Sequence, residues 1–229
     1  RFGGGDPNAA ALEACIARAN DLMALSRERI ADELLKLLAL PSPHPTVALM
    51  VESRILRPVL PEIAEEGVDR LGQLIVREQA TGAPAAPIRR LAALLPADPD
   101  MATSVAARLR LSKRATKRLV SAAAREPDVG DPRALAYRIG PDEAVDRLLL
   151  QDGEAHPAKA LEALRHWERP RFPLAGGDLI AMGLRPGPVE GKTLQAVEGQ
   201  WIANGFADDA DEVRRLAREY VDQVSRDSQ

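Results

Sequence analysis

The chain has 229 residues, is 45% apolar and 28% charged, and carries a net charge of −3, an ordinary balance for a soluble protein with a buried core. Aromatics are only 3% and Cys15 is the single cysteine, so an aromatic strand-rich core, a disulfide framework and a thiolate metal cluster are excluded, leaving an all-α core of Leu, Ala, Val and Ile. With no apolar run of about 18 residues and no charged-then-apolar leader, the expected location is cytoplasmic and no membrane partner is expected.

Arg1-Phe2-Gly3-Gly4-Gly5 reads like the glycine-capped end of a helix that began upstream, so the chain is expected to be part of a longer protein. Asp6-Pro7 supplies an N-cap and a first-turn proline. The spacing of Leu12, Cys15, Ile16, Ala19 and Met23 predicts a helix over Ala9–Met23 in which Cys15 is a buried structural thiol. Ser26 caps the next helix, Arg27–Leu40, with Ile30, Leu34, Leu37 and Leu38 on one face. On its polar face Arg29 with Glu33, and Asp32 with Lys36, stand four apart and are expected to pair.

Pro41-Ser42-Pro43-His44-Pro45 breaks that helix, and His44 is expected in the loop. Helices follow over Val47–Ile55 and Val68–Gln79. The passage Ala80-Thr81-Gly82-Ala83-Pro84-Ala85-Ala86-Pro87 has linker composition and is the best candidate for a boundary. Two further helices are predicted over Ile88–Leu95 and Ala102–Leu109.

Residues 86–126 hold nine Lys or Arg against three acids, a local +6 that leaves −9 for the rest of the chain. At its centre the helix Ser112–Arg125 carries Lys113, Arg114, Lys117 and Arg118 as one doubled basic ridge, with Leu119 and Val120 inward. A positive island on an acidic protein either attracts polyanion phosphates at one face or is a solvated helix face.

Helices over Arg133–Arg138, Pro141–Leu150 and Pro157–Trp167 come next. Glu143 and Asp146 are read as a wet surface pair, and His156 and His166 have no acid spaced to complete a metal site. Leu174 to Phe206 forms two helical segments, Asp178–Leu184 and Val189–Ala203, around a turn with Arg185, Pro186, Gly187, Pro188 and Gly191. Gly187 to Thr193 has three residues between its glycines where a Walker A loop has four, so no nucleotide cradle is predicted. The turn is either a hairpin whose glycines permit close packing or an anion seat in which amides at the next helix start, Arg185 and Lys192 meet a phosphate. Asp208 and Asp209 are candidate caps for a last helix over Asp211–Val224.

Phe2-Gly3-Gly4-Gly5, then Leu25-Ser26-Arg27-Glu28-Arg29-Ile30-Ala31-Asp32-Glu33-Leu34-Leu35-Lys36-Leu37-Leu38, then the glycine-proline hairpin ending in Trp201-Ile202-Ala203-Asn204-Gly205-Phe206 resemble the C-terminal helical part of class II tRNA nucleotidyltransferases, the CCA-adding enzymes, which share this layout with bacterial poly(A) polymerases. The resemblance covers nearly the whole chain. It implies an elongated multi-helix array with a neck (1–57), a body (58–152) and a tail (153–229). It further implies that an α/β head with metal-binding carboxylates, Mg2+ and ATP or CTP lies outside this sequence, so the chain alone binds no cofactor and is inactive.

The resemblance also implies that Ser26, Glu28, Arg29, Glu33 and Lys36 support the base-reading helix of the parent. Its expected partners are tRNA, held by acceptor arm and elbow, and the parent's own N-terminal head, with no DNA. Lys113, Arg114, Lys117 and Arg118, with Arg185 and Lys192 at the Gly187–Gly191 turn, are the candidate phosphate contacts, because a tRNA holder reads shape and backbone rather than bases. A poly(A) polymerase region and a non-enzymatic helical scaffold for RNA or protein are the alternatives.

Overall fold

The computed structural model describes residues 8–125, 130–151, 157–207 and 209–227, and the readings at Phe2 to Pro7, His156 and Asp208 lie outside them. The protein is all-α: among the described residues there is no strand, and no helix is long and apolar enough to cross a membrane. The chain divides into two compact units, Arg1–Arg165 and His166–Gln229.

The first unit contains α1 (Ala9–Ala17), a 3-10 helix (Ala19–Ala24), α2 (Arg27–Leu38), α3 (His44–Glu52), α4 (Glu65–Thr81), α5 (Pro87–Leu94), α6 (Pro99–Arg108), α7 (Lys113–Ala123), α8 (Pro132–Ile139), α9 (Pro141–Leu150) and α10 (Pro157–Leu164). Local chemistry sets the boundaries. Ser26 Oγ accepts from the Arg29 N–H at 3.3 Å, Ser112 Oγ from Ala115, and Asp98 from Asp100 and Met101. These bonds satisfy amides that a helix start leaves open. Proline occupies the first turn of α5, α6, α8 and α9, where its missing N–H costs nothing.

Short α5 is the centre of this unit. Six successive residues, Arg89 to Leu94, are buried, because α2, α4, α7 and α9 all pack on it. Leu91 and Leu94 are fully enclosed, each contributing about 1.5–3 kcal/mol of apolar burial. Their cluster runs without interruption from Ala31 through Leu60, Leu71, Leu109 and Leu119 to Leu150. The passage 80–87, expected as a boundary, is therefore a loop inside one unit: Gly82 ends α4 in the left-handed conformation (φ 68°), and α5 folds straight back onto α4.

Two other expectations fail near the beginning. The helix predicted over Ala9–Met23 stops at Ala17 and passes into the 3-10 turn; nothing in α1 is buried, and Cys15 is exposed. Helical spacing of apolar residues states which side chains share a face, not whether the fold supplies a neighbour for that face. His44, expected in a loop, opens α3 and is half-buried, its imidazole against α4 at Gly72, where a Cβ would stand 3.1 Å from Cδ2 and Nε2.

The second unit packs α11 (Gly176–Ala181), α12 (Pro188–Ala203) and α13 (Ala210–Asp227) on one another. Four of the chain's seven aromatic residues gather here. Trp201 meets Phe206 edge-on at 5.1 Å and Phe172 at 5.2 Å, and Trp167 lies 5.7 Å from Phe206. Gly205 and Phe206 both take positive φ (77° and 64°), and Phe206 N–H closes α12 on Trp201 O at 3.0 Å. Trp201 Nε1 donates to Ala207 O. The Trp201-to-Phe206 run is thus a helix stop folded under its own aromatic cluster, with contact geometry worth about 0.5–1.5 kcal/mol per aromatic pair beyond burial.

Candidate nucleic-acid interface

The basic segment 86–126 is basic in sequence but largely neutralised in space. Arg89 donates to Glu78 Oε1 from Nε (2.9 Å) and Nη2 (2.6 Å), and from Nη1 to Asp146 Oδ1 (3.1 Å). Arg90 bonds Glu78 Oε2 and the carbonyls of Leu38 (2.7 Å) and Leu40 (2.5 Å) at the end of α2. All four side chains are at most 4% exposed. Arg108 pairs with Glu62 at 2.6 and 2.8 Å, and Arg110 reaches Glu28 at 2.8 Å. Four carboxylates from elsewhere in the chain are drawn in; for Arg89 and Arg90 the cause is burial, since a buried guanidinium is tolerable only when paired and hydrogen-bonded, whereas the Arg110–Glu28 pair is exposed.

Arginine also acts here as a carbonyl clamp. Arg70 donates to Ala93 O and Leu95 O, Arg125 to Ala92 O and Leu95 O, Arg77 to Leu149 O and Gln151 O, and Arg147 to Ser121 O. Each adds a donor to carbonyls at or near a helix C-terminus, and the forked guanidinium suits two at once.

Arg118 differs from its reading as a member of the exposed ridge. Its Nε and Nη2 grip Asp146 at 2.6 and 2.9 Å, and its side chain is 27% exposed. The hydrogen bond to Asp146 holds its guanidinium above an already high ordinary value. Asp146, read as half of a wet surface pair with Glu143, is fully buried, and Glu143 is 18% exposed, 3.7 Å from Lys117 Nζ. Sequence reasoning missed Glu78 and Asp146 as anchors, yet a signal existed. Glu78 continues the buried stripe Leu71, Leu74, Ile75, and Asp146 stands three and four residues before buried Leu149 and Leu150. An acid on an apolar stripe predicts a buried cation.

What remains open on α7 is Lys113, Arg114 and Lys117, all exposed, together with the outer edge of Arg118. On α2 the expected pairs are replaced: Lys36 binds Glu33 at 2.8 Å, three residues apart, and the Arg29 guanidinium makes no hydrogen bond among the described residues. Lys36 holds Glu33 below the usual carboxylate range, and Arg110 does the same to Glu28. Arg29 and Glu33 stand at the mouth of an apolar groove of about 290 Å³ lined by Leu22, Leu25, Ile30, Leu34 and Met50.

In the second unit Arg185, within the α11–α12 turn, and Lys192, inside α12, are both exposed, and Gly187 (φ 148°) leaves α12 without a side-chain cap. Glu190 already places a carboxylate in the first turn of α12. That carboxylate leans on Gly176, where a Cβ would meet it at 1.8 Å, and it competes with any anion at the α12 amides. Helix α11, not a strand, precedes the turn, against a nucleotide-cradling loop. Among the described residues no group of three or more His, Cys, Asp or Glu could hold a metal ion.

No curated protein matches the chain. Residues 8–66, which run from α1 into the start of α4, match the family model described as "Probable RNA and SrmB-binding site of polymerase A", and over this stretch the chain is similar to the RNA-binding region of that polymerase family.

Proposed function

We propose that this chain is the RNA-holding helical part of a template-independent nucleotidyltransferase that adds CCA to tRNA 3′ ends, and that catalysis with ATP, CTP and Mg2+ belongs to a separate head. The match over residues 8–66 carries the reading. That stretch holds six Lys or Arg against nine acids and has an apolar groove, which offers a protein contact beside the RNA contact that the match supports. Its proposed role is to seat the base-reading helix of the head, with Arg29 as the open polar contact and Ser26, Glu28, Glu33 and Lys36 fixing α2. Phosphate contact falls to Lys113, Arg114, Lys117 and Arg118 on α7, and to Arg185 and Lys192 in the second unit.

The test is to incubate the full-length parent with tRNA lacking its 3′ terminus and to sequence what is added. CCA is the expected product. A run of adenylates would instead establish the second reading, poly(A) addition, which the polymerase A description of the matched family favours; no addition at all would remove the enzymatic reading. Independently, reversing Lys113, Arg114 and Lys117 to Glu is expected to weaken tRNA binding and flatten its salt dependence. An unchanged affinity and slope would make α7 a solvated face only.

A further inference from the structure

The buried cluster at the centre of the first unit does not close on itself. It contains three guanidiniums, Arg89, Arg90 and Arg118, but only two carboxylates, Glu78 and Asp146. Carbonyl oxygens of Pro84, Leu38 and Leu40 take up the remaining donors of Arg89 and Arg90. Arg118 has no such carbonyl. Its Nε–Nη2 edge is spent on Asp146, while Nη1 makes no hydrogen bond among the described residues, on a side chain that is 27% exposed.

We propose that Asp146 is a positioning residue that fixes Arg118 so that its outer Nη1 edge, beside Arg114 one turn earlier on α7, forms a rigid phosphate contact for the RNA backbone. This rests on the RNA-holding function above. A long cation normally loses side-chain freedom when it grips a phosphate. Arg118 has already lost that freedom on folding, because a fully buried carboxylate holds it by two bonds. Arg114 and Arg118 are four apart and share a helix face, so two neighbouring phosphates can be held by one stripe. Asp142 and Glu143, on α9, are the acids facing Arg118 besides Asp146; Glu143 is near Lys117, which confines phosphate to the Arg114 side.

The experiment measures binding of a fluorescent A-form RNA hairpin across a salt series, using folded protein verified by circular dichroism. Arg118→Gln is expected to weaken binding about tenfold and to lower the salt slope by about 0.7–0.9, one phosphate contact. Asp146→Asn is the decisive variant. If Arg118 needs no positioning, removing a negative charge under α7 tightens binding; the proposal requires weaker binding with the slope unchanged. Should Asp146→Asn fail to fold, Arg118→Lys serves instead, since it keeps the charge but cannot make the fork, and the expected result is again weaker binding at full slope. Wild-type binding with Arg118→Gln indistinguishable from it would overturn the proposal and leave the RNA-holding function standing. A wild-type protein that binds no hairpin at low salt would overturn both.

Discussion

Gly67 on α4 lies so close to Leu94 at the end of α5 that a Cβ at position 67 would stand 2.3 Å from the Leu94 carbonyl oxygen and 2.9 Å from its carbonyl carbon. The obstacle is backbone, which cannot swing aside as a side chain would. Gly67→Ala is therefore expected to destabilise the protein by about 1–3 kcal/mol, outweighing the helix propensity gained from alanine. Urea unfolding with an unchanged m value reads this directly. Gly191→Ala, which meets nothing within 4 Å, is the matched control and is expected to be neutral or slightly stabilising.

Arg89 binds two buried carboxylates on different helices, Glu78 of α4 and Asp146 of α9. Its replacement by Ala removes a buried cation from both, leaving Glu78 to Arg90 alone and Asp146 to Arg118 alone, at a cost of about 3–5 kcal/mol. Lys36→Ala, which removes an ion pair whose side chains are both more than 60% exposed, is expected to change stability far less. Equal effects of the two substitutions in chemical denaturation would contradict the assignment of Arg89 to the core.

The Glu62–Arg108 pair predicts a pH dependence. Burial pushes the Glu62 carboxyl up, but the hydrogen bonds from Arg108, a backbone hydrogen bond and the Arg108 charge together outweigh it and leave it below its ordinary value of 4.5. A carboxylate depressed in the folded state adds stability that is fully present above its unfolded value and is lost as pH falls through the folded one. Glu62→Gln is thus expected to be less stable than wild type at pH 6, with the gap narrowing below 4.5. A gap of the same size at pH 3 would show that the contact does not depend on the carboxylate charge.

Cys15 lies exposed on a helix with no buried residue. An aromatic disulfide reagent is expected to titrate one thiol per chain in native buffer, at a rate that denaturant changes little. Protection in buffer, released only by unfolding, would place α1 against a covering surface.

Apart from α1, which stops six residues short of its predicted end, helix periodicity in the sequence located the described α-helices to within a few residues, and Pro141–Leu150 to the residue, because proline and small polar caps mark helix starts chemically. The neck cap at Ser26 was legible for the same reason. Charge was not. Lys113, Arg114, Lys117 and Arg118 look equivalent along one helix, yet Arg118 is withdrawn by Asp146, 28 residues away. The Arg29–Glu33 pairing failed because Lys36 reaches Glu33 one residue closer. Both outcomes depend on which helices become neighbours, and one-dimensional spacing carries that information only faintly, as acids placed on apolar stripes.

The arginine-to-carbonyl clamps have a consequence for working conditions. A guanidinium held by peptide oxygens at the ends of α2, α5, α7 and α9 sits 2.7 to 3.1 Å from them in buried or partly buried surroundings, where dissolved salt screens charge much less than at the open surface. Phosphate gripping by exposed lysines is the opposite case and weakens steeply over ordinary ionic strengths. Brine concentrated enough to strip a polynucleotide from the surface should therefore leave the scaffold beneath it standing, so that release and rebinding can be cycled on one sample without refolding.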